Sequence, residues 1–328
     1  DPEESCERIV NLTRAAEIRG AEMGYSPWSG TTCISYRIAV QYSVFSTRTG
    51  ILRRGGKDER PLHVYHPAQT SNGIPPENVF LIADSANVPV AEGFLIHTYH
   101  PYLFAERPIN MYISLQSKGP GREMLLGALL ARAYQLRLQT PYLKARVFAQ
   151  VSLQDAPAMS FYLEAGFQAD DALDVVELNP PNARPMAPMG YDLGPIPLQS
   201  PLEQQAFLVR MNTYRLNVIQ YPLLQRAMAS PHFLALYMAR GSDIAGEILF
   251  AGENGAAKIL GLYIMPKYRR LGLAKSLIAC GMKTLSEQGV SRFEGDVIRR
   301  NGPQCLLAQS CSATFIRTAC FYPGLNYD

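Results

Sequence analysis

The chain has 328 residues, 47% hydrophobic and 18% charged, with a net charge of +3. That is the composition of a soluble globular protein, long enough for two domains that each bury a core. The small net charge argues against a nucleic-acid module, and no apolar run reaches the roughly eighteen residues of a membrane helix.

Cys6, Cys33, Cys280, Cys305, Cys311 and Cys320 form no C-x-x-C pair. Zinc and redox signatures are therefore missing, no metal is expected, and sparse free thiols suit a reducing compartment. No signal peptide opens the chain, so a cytoplasmic protein is expected, although the missing initiator Met leaves room for a removed leader. Residues 1–77 carry little pattern, and TRTGILRRGGKDER (47–60) reads as a solvated polar loop.

From there the elements follow in order. NVFLIAD (78–84), VAEGFLIHTY (90–99) and INMYISL (109–115) read as strands, followed by an apolar helix from Arg122 to about Leu138. KARVFAQVS (144–152) alternates like a strand, and SLQDAPAMSFYLEAGF (152–167) holds a short helix. Four of the five histidines lie in two H-x-Y-H-P strings, His63/His66 and His97/His100. Positions three apart on a strand face opposite sides, which disfavours a metal site and favours strand-end histidines near an acceptor cleft.

Seven prolines in NPPNARPMAPMGYDLGPIPLQSP (179–201) forbid helix and most paired strand. The expected division is an N-terminal domain 1–178, a Pro-rich junction 179–200 and a C-terminal domain 201–328. Ser200–Pro201 opens a helical pattern that breaks near Pro222. Strands are expected at 232–240, 244–252 and 257–265, the last two joined by Glu253–Asn254–Gly255, where Asn-Gly favours a tight hairpin. A helix starts at Leu273, and RFEGDVI (292–298) is a further strand. Both halves spell strand, strand, strand, glycine turn, helix, strand, helix, which reads as an internal duplication of one fold.

The stretch LYIMPKYRRLGLAKSLI (262–278) carries the chemistry. A helix start offers unpaired N–H groups and a positive dipole end, and small residues let an anion approach them. Gly272 and Ala274 clear that space, and Lys267, Arg269, Arg270 and Lys275 surround it with positive charge. A diphosphate or similar anion suits this turn.

Arg269-x-x-Gly272-x-Ala274 after LYIMPKY resembles the central motif of the GNAT acyltransferases (Gcn5-related N-acetyltransferases), and Gln116-x-x-Gly119-x-Gly121 resembles a second copy. The resemblance implies an α/β fold: two tandem GNAT-like domains, each a mixed, mostly antiparallel sheet flanked by helices. It implies that Arg269 to Lys275, with Arg270, Leu271 and Leu273, hold the pyrophosphate of acetyl-CoA. Leu262, Tyr263 and Ile264 would line its pantetheine arm, with Met111 to Ile113 as their first-half counterpart.

A second signature is an Asn, an Ala three on, a Tyr seven on, and Gly-Phe eleven and twelve on. The first half reads Asp155, Ala158, Tyr162, Gly166, Phe167; the second keeps Asn301 but has Ala308, Ser312 and Ala313 at the last three positions. Family chemistry implies direct attack of a neutral amine on the thioester, with Tyr162 as candidate acid in the first half. Glu247, Glu294 and Asp296 are candidate bases in the second, Tyr263 is a further side chain that could face the site, and Cys305 and Cys311 read as buried hydrophobes. The expected partner is a small-molecule or peptide amine, with neither nucleic acid nor membrane; the competing reading is a non-catalytic CoA-binding protein.

Overall fold

The computed structural model describes residues 61–68, 74–117, 121–180, 185–213, 215 and 218–328. The loop expected at 47–60, Cys6, Cys33 and the turn residues Lys118, Gly119 and Pro120 lie outside the described residues.

The first unit opens with strands β1 (His63–Tyr65), β2 (Val79–Ala83), β3 (Pro89–Tyr99) and β4 (Ile109–Ser117). Helix α1 (Arg122–Leu138), β5 (Ala145–Ala149), β6 (Val151–Ser152) and α2 (Ala156–Glu164) follow. β1 to β4 form an antiparallel meander, and β4 pairs in parallel with β5 from Ile109 to Ile113. Helical spacing brings Leu125, Leu129, Ala133 and Leu136 of α1 to one side, where they pack on Leu95, Met111, Ile113 and Val147.

The second unit contains β7 (Ala172–Leu178), β8 (Asp192–Pro195), α3 (Pro201–Asn212), α4 (Tyr221–Met228), β9 (Leu234–Arg240), β10 (Asp243–Glu253) and β11 (Ala256–Ile264). It continues with α5 (Leu273–Ser286), β12 (Arg292–Ile298), α6 (Gly302–Ser310) and the start of β13 (Thr314–Phe321). Its strands lie in the order β13-β7-β12-β11-β10-β9-β8. Ser200 and Glu203 close a capping box over Pro201, so α3 starts where its sequence signals it. Asn254 and Gly255 take positive φ (53° and 71°) and turn β10 into β11. α5 packs Leu273, Leu277, Met282 and Leu285 against Ile248, Phe250 and Phe293. Phe207, Met211 and Leu224 of α3 and α4 pack with Leu249 and Tyr263. Within the Pro-rich stretch, β8 pairs with β9 at the sheet edge, the position where Pro is tolerated in a sheet.

Unit membership does not follow chain order. One unit takes the described residues up to Pro101, 105–170 and 320–328; the other takes 102–104 and 171–319. β7, expected in the first domain, pairs with β12 from Leu173 to Leu178. The last strand, β14 (Gly324–Tyr327), expected in the second domain, pairs with β5. A strand joins whichever sheet offers a free edge of matching register, so the division differs from the expected boundaries at 178 and 201.

Arg146 on β5 fixes the last strand. Its side chain is fully buried; its guanidinium donates to Asp170, to Asn326 Oδ1 (3.1 Å) and to the Tyr322 carbonyl (3.2 Å). A Cβ on Gly324 would stand 2.3 Å from Arg146 Nε, so only glycine lets β14 cross this side chain.

The histidine strings belong to the first unit. His66 Nδ1 lies 2.8 Å from the Val79 carbonyl, and burial pushes His100 down to about 4. Burial, with the Arg132 charge second, also lowers His97. Unfolded histidine binds a proton near pH 6.5 while folded His100 does not, so stability falls as pH drops from 6.5 towards 4. The expected loss is on the order of 3 kcal/mol for His100. Urea midpoints at pH 7.5 and 4.5 check this, and a His100→Gln variant should flatten the slope; an unchanged slope refutes it.

No helix among the described residues is long and apolar enough to cross a membrane.

Candidate active site

The turn after β11 leaves the start of its helix open. β11 ends at Ile264, a single 3-10 turn covers Pro266–Tyr268, and Gly272 begins α5 as its N-cap with φ 80° and ψ 0°. Gly272 is exposed, a Cβ there would meet nothing within 4 Å, and no side chain caps the helix. The first turn of α5 carries no acidic residue, so its dipole end is uncompensated. Arg270, also left-handed at φ 64°, tightens the turn and is exposed, as are Leu271 and Lys275; Ala274 is half-buried and Leu273 anchors the core.

Two of the expected cations are engaged with protein groups. Lys267 Nζ lies 2.7 Å from Asp243 Oδ2, which also accepts from the Tyr268 hydroxyl. Arg269 Nε donates to the Ile264 carbonyl (3.0 Å), and its guanidinium lies 4.7 Å over the ring of Tyr102, part of the 102–104 stretch that packs in this unit. Arg269 thus ties the turn to the end of β11.

Beside the turn, the sheet opens. β11 and β12 pair in parallel only at Ala256–Lys258 against Arg292–Glu294, although β11 runs on to Ile264 and β12 to Ile298. A register shift at Leu249/Phe250 sets Leu249 opposite Gly261 and Phe250 opposite Ile259, so Leu260 bulges from β11. Leu262, Tyr263 and Ile264 follow the bulge and reach the turn.

The candidate bases have partners. Glu247 lies opposite Tyr263 in the β10/β11 ladder, its side chain fully buried. Arg210 of α3 donates to both of its oxygens, at 2.7 and 3.1 Å. Burial foremost, then the Glu247 charge, raises the Tyr263 hydroxyl well above its usual range. Glu294 sits at the last paired position, 3.6 Å from Arg292 Nε, and Asp296, inside the opening, lies 2.8 Å from Lys258 Nζ. Burial raises the thiols of Cys305 and Cys311.

The second signature proves to be helix punctuation. Asp155 Oδ1 accepts from the Ala158 amide (3.0 Å) and caps α2; Asn301 Oδ1 accepts from the Gln304 amide (3.2 Å) and caps α6. At the far ends, Gly166 (φ 87°) and Ser312 (φ 52°) both turn left-handed. Phe167 N–H then reaches the Tyr162 carbonyl and Ala313 N–H the Ala308 carbonyl, each at 3.0 Å. Ser312 keeps the geometry without the glycine. Tyr162 packs in the first core against Phe167, ring centroids 5.1 Å apart, and burial pushes its hydroxyl up to about 12.

The first unit's helix start departs from the second's. Gln116, expected to open it, lies inside β4 opposite Glu92. The left-handed N-cap of α1 is Gly121 (φ 99°), so Gly121 matches Gly272 and not Ala274. The motif reading was therefore displaced by two residues, because β4 ends at Ser117, close to its helix, whereas β11 ends at Ile264, well before its own. Gly121 is buried, a Cβ there would meet Ile82 at 2.9 Å, and Arg122 lies 3.8 Å over the Phe161 ring. Counting from the caps, Glu123 stands where the second unit has Ala274, placing a carboxylate in the first helical turn. Gly119 lies outside the described residues.

Residues 203–311 match the sequence model of the Acetyltransferase (GNAT) family. Among solved structures, the chain is similar to a GCN5-related N-acetyltransferase from Sphaerobacter thermophilus, at 15% identity over 76% of this chain and 81% of that one, TM-score 0.42. Another from Anabaena variabilis is 12% identical over 76% of this chain and 63% of that one, TM-score 0.45. A tandem GNAT protein from the clavulanic acid biosynthesis pathway is 15% identical over 78% and 86%, TM-score 0.38. No curated protein matches the chain. The match to the GNAT acetyltransferase family is confined to residues 203–311, the stretch that holds the open turn, the parted strands and the Asn301 cap.

Proposed function

We propose that the second unit binds acetyl-CoA and transfers its acetyl group to a primary amine on a small molecule or a peptide. The amine nitrogen bonds to the thioester carbonyl carbon, the C–S bond breaks, coenzyme A leaves as thiolate, and the proton lost by the amine passes to solvent or to the departing thiolate. One observation carries this reading: an open, uncapped helix start at Gly272 stands beside the length of β11 that has parted from β12. The diphosphate takes the amides of α5, Lys275 and Arg270 add charge, and the pantetheine arm runs along Leu262–Ile264. A thiolate leaves acceptably near neutral pH, so Ala308 in place of a tyrosine does not block the reaction.

The first unit, with Gly121 buried and Glu123 in its helix start, is read as a scaffold. Calorimetry should therefore find one coenzyme A per chain; two sites would refute the assignment. Tyr162, within the first core, has no part in this transfer. The second reading, a non-catalytic CoA-binding protein, draws on Glu247, whose two oxygens are both held by Arg210. Thiol release from acetyl-CoA across a panel of amines supports the transferase. Tight binding without release supports the sensor, and no binding removes both.

A further inference from the structure

Where β11 leaves β12, the parted edge of β12 would be bare, and a buried strand edge without hydrogen bonds is costly. Side chains of α6 close the edge: Cys305 Sγ reaches the carbonyls of Ile298 (3.6 Å) and Arg299 (3.4 Å), and Gln304 spans the length from Asp296 to Ile298. Gln304, in the first turn of α6, donates from Nε2 to the Asp296 carbonyl (2.5 Å) and accepts at Oε1 from the Ile298 amide (3.0 Å). Those two groups lie two residues apart on one strand, the spacing that a single residue of a neighbouring strand would satisfy. Asn301 fixes the device by accepting the backbone N–H of Gln304 itself. The facing edge of β11 differs: its end is held by Arg269 at the Ile264 carbonyl, but from Ile259 to Leu262 no side-chain hydrogen bond is found among the described residues.

We infer that Gln304 is a positioning residue that acts as a surrogate strand, closing β12 so that the amide-bearing arm of the acyl carrier aligns on β11 alone. This rests on the coenzyme reading above, which already runs the arm along β11, and adds to it the residue that closes the opposite wall. The side-chain amide fits uniquely, because it offers one donor and one acceptor side by side. In the first unit the equivalent position is Ala158, which offers neither, and there β4 and β5 stay paired for five residues, Ile109 to Ile113.

The test compares Gln304→Met, of similar length without the amide, with Gln304→Glu. In the unliganded protein, Gln304→Met should speed amide exchange across residues 292–298. Its coenzyme A dissociation constant and acetyl-CoA KM should rise about five- to tenfold, with the amine KM unchanged. Gln304→Glu should be impaired at pH 7.5 and recover relative to wild type as pH falls below about 5, into the range where a protonated carboxyl again donates to Asp296. Unchanged exchange, coenzyme affinity within twofold of wild type, or equal losses in both substrates' KM would overturn the inference. Should the Met variant fail to fold, the Glu variant decides: a ratio to wild type that ignores pH overturns it. Failure of the coenzyme reading shows separately, as wild-type protein that binds no coenzyme A; the exchange result then still decides whether Gln304 holds the strand.

Discussion

Replacing Gly272 with glutamate is expected to weaken coenzyme A binding by at least about a hundredfold and to leave the protein folded. Space does not forbid the side chain, since nothing lies within 4 Å of the Cβ position. The backbone cost of a non-glycine residue at φ 80° is about 1 kcal/mol, and Arg270 already takes φ 64° in the same turn. The larger effect is electrostatic. A carboxylate would occupy the helix start and repel the diphosphate that the amides of Leu273 to Lys275 are free to bind. Losing two hydrogen bonds to a charged group, at about 1.5–3 kcal/mol each, corresponds to roughly a hundredfold or more. Gly272→Ala isolates the backbone term and should cost severalfold at most. Calorimetry with wild type and both variants checks the series; a Glu variant that binds coenzyme A within a few-fold of wild type sinks the assignment. In the first unit the corresponding helix start already carries an acid, Glu123, and its N-cap Gly121 is buried.

The second large effect concerns folding. Ending the chain at Ala319 should destabilise the first unit by more than about 4 kcal/mol, judged from the cost of stripping partners from a buried charge. β5 would lose its β14 neighbour, and Arg146 would lose Asn326 and the Tyr322 carbonyl, keeping only Asp170. Gly324→Val probes the same contact without deletion, because its side chain would enter the space of the Arg146 guanidinium. Urea unfolding followed by near-ultraviolet circular dichroism reads both; a truncated chain with wild-type midpoints would show that β14 contributes little.

Much of this architecture was legible beforehand, for local reasons. α1 spans the expected Arg122–Leu138, and β12 the expected 292–298, because apolar periodicity and flanking turn residues act within a few positions. The hairpin at Asn254–Gly255 and the helix start at Ser200–Pro201 were equally local. The first half's motif was harder. Gln116-x-x-Gly119-x-Gly121 has the right spacing, yet spacing does not say where β4 stops, and the helix cap moved the correspondence by two residues.

By itself the sequence determined where α1, α3 and α5 start, where the 253–255 hairpin turns, and that a basic glycine turn precedes α5, since propensity, capping and charge are properties of neighbouring residues. It did not determine where α3 stops, expected near Pro222 but found at Asn212, with Pro222 in the first turn of α4. The tertiary structure alone decided that β7 and β14 join sheets other than those expected from chain order, that Gly121 is covered while Gly272 is open, and that Gln304 replaces a strand. Each of these depends on which distant backbone edge or side chain arrives at a site, and hydrogen-bond pairing and burial between remote segments leave no mark in the local pattern.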